Sequence, residues 1–381
     1  MRSLRRWALV CSLAAISSAS GFVLGSSASP GTALGSGLVG ELSAVSALSP
    51  TDAWAAGKLF PTPSDIGDFN ATTERRHGTG WSRVSSPSPP SHKAELLGVS
   101  AVSSSDVWAV GRYTNTTGND RTLIDHWDGK HWNVVPSPNP SPFGNGLAGV
   151  SALSASDVWA VGYSGAPKSL ILHWNGISWS QVPSVDPGGG AGNVLSAVSA
   201  LSSSDVWAVG FYVSGSGPKT LIEHWNGTAW TAVPGVDPSG SDSELTGVSA
   251  VSTNDVWAVG YFNARSGDET LVEHWNGTSW SKVASPNVTK ESALAAVSGL
   301  SSTDAWAVGS SGTATVKTVI EHWDGVKWTK VGSPNGKGAE NELLGVSART
   351  AKDVWAVGYS GGNSSHHTLI EHSDGTAWSV K

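Results

Sequence analysis

Apolar residues in this chain come in short bursts, broken by small and polar residues, and the bursts recur in the same order. The fifth recurrence reads Leu245-Thr-Gly-Val-Ser-Ala-Val251, Asp255-Val-Trp-Ala-Val-Gly260, Thr270-Leu-Val-Glu-His-Trp-Asn-Gly277 and Trp280-Ser-Lys-Val283. Each burst has strand length, is rich in Val, Leu, Thr or Trp, and is bounded by Gly, Ser, Asn or Pro, so the unit predicts four strands, A to D. The Asp-Val/Ala-Trp tripeptide that opens strand B ends at Trp54, Trp108, Trp159, Trp207, Trp257, Trp306 and Trp355. The unit therefore returns about every fifty residues, seven times, and such a period fixes the architecture. Four strands in each of seven copies predict an all-β fold, a seven-bladed β-propeller with four antiparallel strands per blade.

The turns agree with that reading. A joins B through Ser-x-x-Asp, as in Ser252-Thr-Asn-Asp255, whose side chains can bond nearby backbone. C joins D through Asn276-Gly277 or Asp324-Gly325, a tight-hairpin signal because both residues tolerate positive φ. The B-to-C and D-to-A connections are long and variable, so the alternating strands should give one plain face and one variable face. Strand A carries Ala44, Gly98, Gly149, Ala197, Gly247, Ala296 or Gly345, each followed by Val-Ser. Seven strands crowded around an axis need such small groups, which places A innermost. Proline soon after strand D suits an exposed outer edge. The blades are expected at about 39–91, 92–142, 143–190, 191–240, 241–289, 290–338 and 339–381, with no blade shared between the chain ends.

The N-terminus departs from the repeat. Arg2, Arg5 and Arg6 form a basic head before an interrupted apolar run to Leu24 and small residues through Ala33, so residues 1–33 are expected to be a signal peptide and short exit segment. Cleavage after Ala28 or Ala33 is expected, and the run is weak for a retained membrane span. Localisation is then secreted or extracellular, with a single propeller over 34–381. The one cysteine, Cys11, lies in the leader, which excludes disulfides, thiolate metal sites and a Cys nucleophile from the mature chain. Net charge is −7 and becomes more acidic without the leader arginines, which with no basic run argues against nucleic acid as a partner.

The Asp-Val-Trp…Leu…His-Trp-Asn-Gly-Thr-x-Trp unit resembles those of secreted tandem-repeat β-propellers and is most similar to that of the bacterial seven-bladed propeller lectins. Those pair a strand opening Asp-Val-Phe with a hairpin of the Trp-Asp-Gly-Ser-x-Trp kind. The resemblance covers the mature chain and implies the fold, with carbohydrate binding as the expectation attached to it. Kelch propellers are a looser comparison, since their Gly-Gly doublet and Tyr before the Trp are not regular here.

Two repeated features invite a chemical reading. Strand C carries His126, His173, His224, His274, His322 and His372, with Arg75 in the first copy, and an acid precedes most of them. An acid beside a His can mark a base or a metal ligand, but strand C lies third from the axis, so these residues are spread around the ring and are expected to be packed, hydrogen-bonded groups between blades. No metal or other cofactor is expected. The tryptophans near the plain face are expected to form an aromatic cluster in each blade. The sharper expectation is that Trp127, Trp132, Trp174, Trp179, Trp225, Trp230, Trp275 and Trp280 include stacking platforms for sugar rings, with Asn226 and Asn276 as polar partners. There is no His-Glu-x-x-His or P-loop, and no catalytic residue is expected.

The expected function is a non-catalytic binding propeller that recognises a glycan or an extracellular protein. An enzyme acting on polysaccharide is the alternative and needs an asymmetric cluster of carboxylates or Arg at the channel mouth, which the sequence does not display. A purely structural surface scaffold is the other alternative and would leave both faces without an apolar pocket. Copy one, which lacks the His and Trp of strand C, and copy seven, where Ser373 replaces that Trp, break the repeat where the ring closes.

Overall fold

The computed structural model describes residues 38–381 apart from 63–66, 88, 90–92, 166–167, 190–191, 239–241, 265 and 363–364. The expected leader lies outside the described residues. Among the described residues the chain forms seven four-stranded antiparallel sheets, each in the order A-B-C-D, and no helix. In blade 1 the strands are Gly40–Ser49, Asp52–Leu59, Asn70–His77 and Gly80–Val84; in blade 7 they are Glu340–Thr350, Asp353–Gly362, Ser365–Ser373 and Trp378–Val380.

The small residues of strand A explain how tightly the seven sheets converge. A Cβ added at Gly345 would lie 2.8 Å from the Ala44 Cα, and one at Gly149 would lie 3.0 Å from the Ala197 Cα. A bulge in each strand A, as between Leu42 and Ala44, bends the inner edge around the axis. The Val-Ser that follows has an equally definite role. Ser46 Oγ accepts the Ala101 N–H of the next blade at 3.1 Å, and the same bond recurs from Ser100, Ser151, Ser199, Ser249 and Ser298. Ser347 Oγ accepts from Ala47 N–H at 3.1 Å, so the identical bond closes the ring.

Closure uses no shared blade. Leu38 donates its N–H to Thr368 Oγ1 at 3.1 Å and accepts the Thr368 N–H at 2.7 Å, stitching the start of blade 1 to strand C of blade 7. Elsewhere the D-to-A linker caps that strand with a side chain, as when Asn287 Oδ1 accepts the Thr270 N–H and Asn335 Oδ1 accepts the Thr318 N–H. Each sheet buries both faces against neighbouring blades, which is why the central positions of strand B, such as Val256, Ala258 and Val259, are fully buried.

Candidate functional site

Strand register decides what the repeated His does. His126 pairs directly with Trp108 across strands B and C, and Asp106, two residues before that Trp, points to the same side of the sheet. His126 Nε2 therefore lies 2.8 Å from Asp106 Oδ1 while its ring stacks on Trp108 at 4.2 Å between centroids. The same Asp–His–Trp clasp holds at His173, His224, His274, His322 and His372. In blade 1 Arg75 replaces it, forking onto both oxygens of Asp52 at 3.0 Å and lying over Trp54. The expectation of a His between blades is corrected: the partner is the Asp of the same blade, because register sets both on one face. Among the described residues no three His, Asp or Glu gather in a way that could hold a metal ion.

The residue before each His points to the opposite face and is fully buried, an acid in every blade but the third, where it is Leu172. Ser86 donates to Asp125, Ser184 to Glu223, Ser285 to Glu321 and Ser333 to Glu371, each Ser coming from the linker that leaves the preceding blade. Glu273 accepts from the Val236 N–H of its linker instead. Desolvation pushes Asp125, Glu223, Glu273, Glu321 and Glu371 up to about 7. Glu74 of blade 1 meets no such linker; neither oxygen has a hydrogen-bond partner among the described residues, and burial pushes it up to about 8. These acids hold protons near neutrality for structural reasons and face blade seams.

The strand-C and strand-D tryptophans pack within one blade as expected, as Trp127 with Trp132 at 5.9 Å, but the strand-B Trp of the cluster comes from the neighbouring blade, which corrects the expectation of all three within each blade. Strand-B Trp of one blade packs against the strand-C and strand-D Trp of the next: Trp54 with Trp127 and Trp132 at 5.0 and 5.1 Å, Trp207 with Trp275 and Trp280 at 5.1 and 5.4 Å. Trp108 meets Trp174 and Trp179, and Trp159 meets Trp225 and Trp230, in the same way. The strand-D rings stand nearly edge-on, the geometry that aligns aromatic quadrupoles. Trp132, Trp179, Trp230 and Trp280 are buried, as is Trp127, while Trp174, Trp225 and Trp275 are half-buried. Each strand-C indole also spends its N–H, Trp127 on the Ser104 carbonyl, Trp174 on Ala155, Trp225 on Ser203 and Trp275 on Thr253. Asn226 and Asn276 are exposed, but their Oδ1 atoms cap the Asn-Gly-Thr turns by accepting from Thr228 and Ala229, and from Thr278 and Ser279. Every proposed platform thus already carries an aromatic partner.

The stacking fails at one junction. Ser373 stands where blades 2 to 6 have the strand-C Trp, and a cleft of about 470 Å³ opens between blades 6 and 7, lined by Trp306, Ser333, Pro334, Ser373, Thr376 and Trp378 among others. Trp306 is 7% exposed, against 0 to 2% for the other six strand-B tryptophans. At the next junction Arg76 takes the indole's place: its guanidinium lies 4.7 Å over Trp355 and its Nε donates to the Pro50 carbonyl at 2.9 Å. The sequence marks Ser373 as a departure from the repeat, but only the cross-blade stacking shows what the departure uncovers.

A second asymmetric feature escaped the sequence reading. On the variable side, Lys58 Nζ lies 3.1 Å from both Glu41 and Glu95, Arg112 pairs with Glu95 at 2.7 Å and reaches Tyr163 Oη at 2.9 Å, and His366 bridges Glu41 at 2.6 Å and Glu340 at 3.3 Å. The two glutamates raise the His366 pKa against the opposing effect of its burial. This chain of charges links blades 7, 1, 2 and 3 and consists of groups paired with one another at the seams. Its members come from different repeats, which is why no local motif announces it. The axial channel is narrower, about 170 Å³, and is lined by strand-A residues such as Ser43, Ala44 and Gly98.

No protein-family model matches the chain, and no curated protein matches it in sequence. Solved structures are similar in fold. A structure of YCF48 bound to D1 peptide is 15% identical with a TM-score of 0.57, covering 91% of this chain and 96% of its own. An ulvan lyase of polysaccharide lyase family PL25, bound to a GlcA(1-4)Rha3S saccharide, is 9% identical with a TM-score of 0.56, covering 92% of this chain and 98% of its own. The six-bladed fucose-binding lectin of Aleuria aurantia is 14% identical with a TM-score of 0.47, covering 74% of this chain and 93% of its own. Fold alone is what these likenesses share with the chain, itself a seven-bladed all-β propeller.

Proposed function

We propose that this chain is a non-catalytic binding propeller that works outside the cytoplasm and holds a glycan or a protein surface in the cleft between blades 6 and 7. The observation that carries the reading is the junction where neither an indole nor a guanidinium covers the strand-B Trp, and where an aromatic floor, Trp306, and an aromatic wall, Trp378, border a cleft of about 470 Å³. A concave, mostly apolar pocket with a few polar groups is the usual form of a binding site. A purely structural scaffold would have no reason to leave one junction open when the other six are filled. Propellers of this architecture hold both kinds of ligand: the YCF48 structure contains a peptide and the lyase structure a saccharide. Export is supported by the basic head, apolar run and small-residue exit of residues 1–33 and by a chain without cysteine beyond Cys11.

The test is a screen of the purified protein against a glycan array and immobilised extracellular proteins, with each hit repeated on Ser373→Trp. Hits lost on filling the cleft support the reading, and hits that all survive Ser373→Trp overturn it. N-terminal sequencing of protein recovered from the culture medium should begin after Ala28 or Ala33; a cell-retained chain beginning at Met1 would contradict export.

A further inference from the structure

We infer that the occupant of the cleft is an indole ring presented by another polypeptide, a tryptophan side chain of the partner. The inference rests on the proposal that the cleft is a binding site and names what it binds. The argument starts from the five filled junctions. Trp127, Trp174, Trp225, Trp275 and Trp323 each lie 5.0 to 5.2 Å from the strand-B Trp of the preceding blade. Each donates its N–H, at 3.0 to 3.2 Å, to the carbonyl two residues before the clasp Asp. At the junction of blades 6 and 7 the floor Trp306 of blade 6 and the edge-on Trp378 of blade 7 are retained, with Ala351 in the acceptor's place in the repeat, two residues before Asp353. Only the indole is missing. The repeat fills the corresponding place with a tryptophan five times over.

Two other occupants fit less well. A guanidinium fills the corresponding place in blade 1, but Arg76 there sits within the field of Asp353, whereas the residues lining the cleft carry no charge. A sugar ring is held by several hydrogen-bonding groups, yet Ser333 Oγ donates to Glu371 and Thr376 Oγ1 to Asp374, and only Ser373 Oγ, which accepts the Gly375 N–H, keeps its proton to give. The cleft is bordered by two aromatic rings, Trp306 at 7% and Trp378 at 9% exposure, and by no charged side chain, which favours an apolar ring with one donor.

The experiment uses short peptides with one 5-fluorotryptophan in a Gly/Ser context, followed by ¹⁹F NMR on addition of the full chain, with phenylalanine and arginine peptides and the glycan hits as competitors. Binding of the indole peptide is expected, about tenfold weaker for phenylalanine because the N–H donor is lost, abolished in Ser373→Trp and retained in Ser373→Ala. A nitroxide on Thr376→Cys, in a Cys11→Ser background, should broaden the bound fluorine signal, which locates the ring even if Ser373→Trp folds poorly. Equal binding by phenylalanine or arginine peptides, an unbroadened signal, or no indole binding overturns the inference. Should a glycan bind the cleft instead, the inference falls and the proposed function stands; should neither glycan nor any protein lose binding on Ser373→Trp, both fall.

Discussion

The junction between blades 5 and 6 and the junction between blades 6 and 7 are built from corresponding strands and differ in their stacking at one position, Trp323 against Ser373. At the first, Trp257 is covered by Trp323 at 5.0 Å and by Trp328 edge-on at 5.2 Å. At the second, Trp306 keeps the edge-on Trp378 at 5.6 Å but faces Ser373 where an indole would lie. Stability and access thus trade against each other at single positions of a repeat. A closed junction packs three rings and leaves only the strand-C indole half-buried, while the open one gives up that indole contact and gains a cleft.

The largest expected effect comes from removing the floor of a closed junction. Trp257→Ala should cost about 3–5 kcal/mol, the range for deleting a buried aromatic, and Trp306→Ala should cost less because one of its ring contacts is already missing. Urea unfolding of both variants checks the order, and equal losses would erase the distinction between the junctions.

Next in size is the pH response of the buried acids. Their folded pKa values are raised, so the stability they allow is complete below the ordinary value of 4.5 and is lost as pH rises through about 7, and through about 8 for Glu74. Glu223→Gln should remove its share of that loss, on the order of 1–3 kcal/mol between pH 5 and 8. Blade 3 supplies an internal control, since Leu172 occupies the acid's position and titrates nothing. A stability profile as steep in Glu223→Gln as in the parent would contradict the assignment.

Filling the open junction should stabilise the protein. Ser373→Trp is expected to raise stability by about 1–2 kcal/mol through buried aromatic area, read as a higher Tm; a lower Tm would mean that the cleft is not shaped for an indole. The smallest effect belongs to the clasp. His274→Ala removes a half-buried hydrogen bond to Asp255 and a stacked ring, a loss of about 1 kcal/mol, without changing ligand binding at blades 6 and 7.

Much of the fold was legible because seven copies repeat the same instruction. Strand identity, the A-to-D order and the inner place of the small residues follow from Gly98-Val-Ser100 and its counterparts. Contacts between copies were not legible. The sequence puts Trp275 beside His274, but they point to opposite faces: His274 turns to Asp255 of its own blade and Trp275 to Trp207 of the blade before. Alternation along strand C contains that information, and applying it to the pair would have separated the two roles. The Asp of Asp-Val-Trp read as a turn residue, whereas it is the partner of the His. The Lys58, Glu95 and Arg112 chain joins different repeats, which periodicity cannot relate.

The central claim is that one missing indole makes the binding cleft, and the reverse exchange tests it most directly. Trp323→Ser should open a second cleft over Trp257, so calorimetric titration with the tryptophan peptide should give two sites per chain where the parent gives one. A stoichiometry unchanged in a folded Trp323→Ser protein would contradict the account.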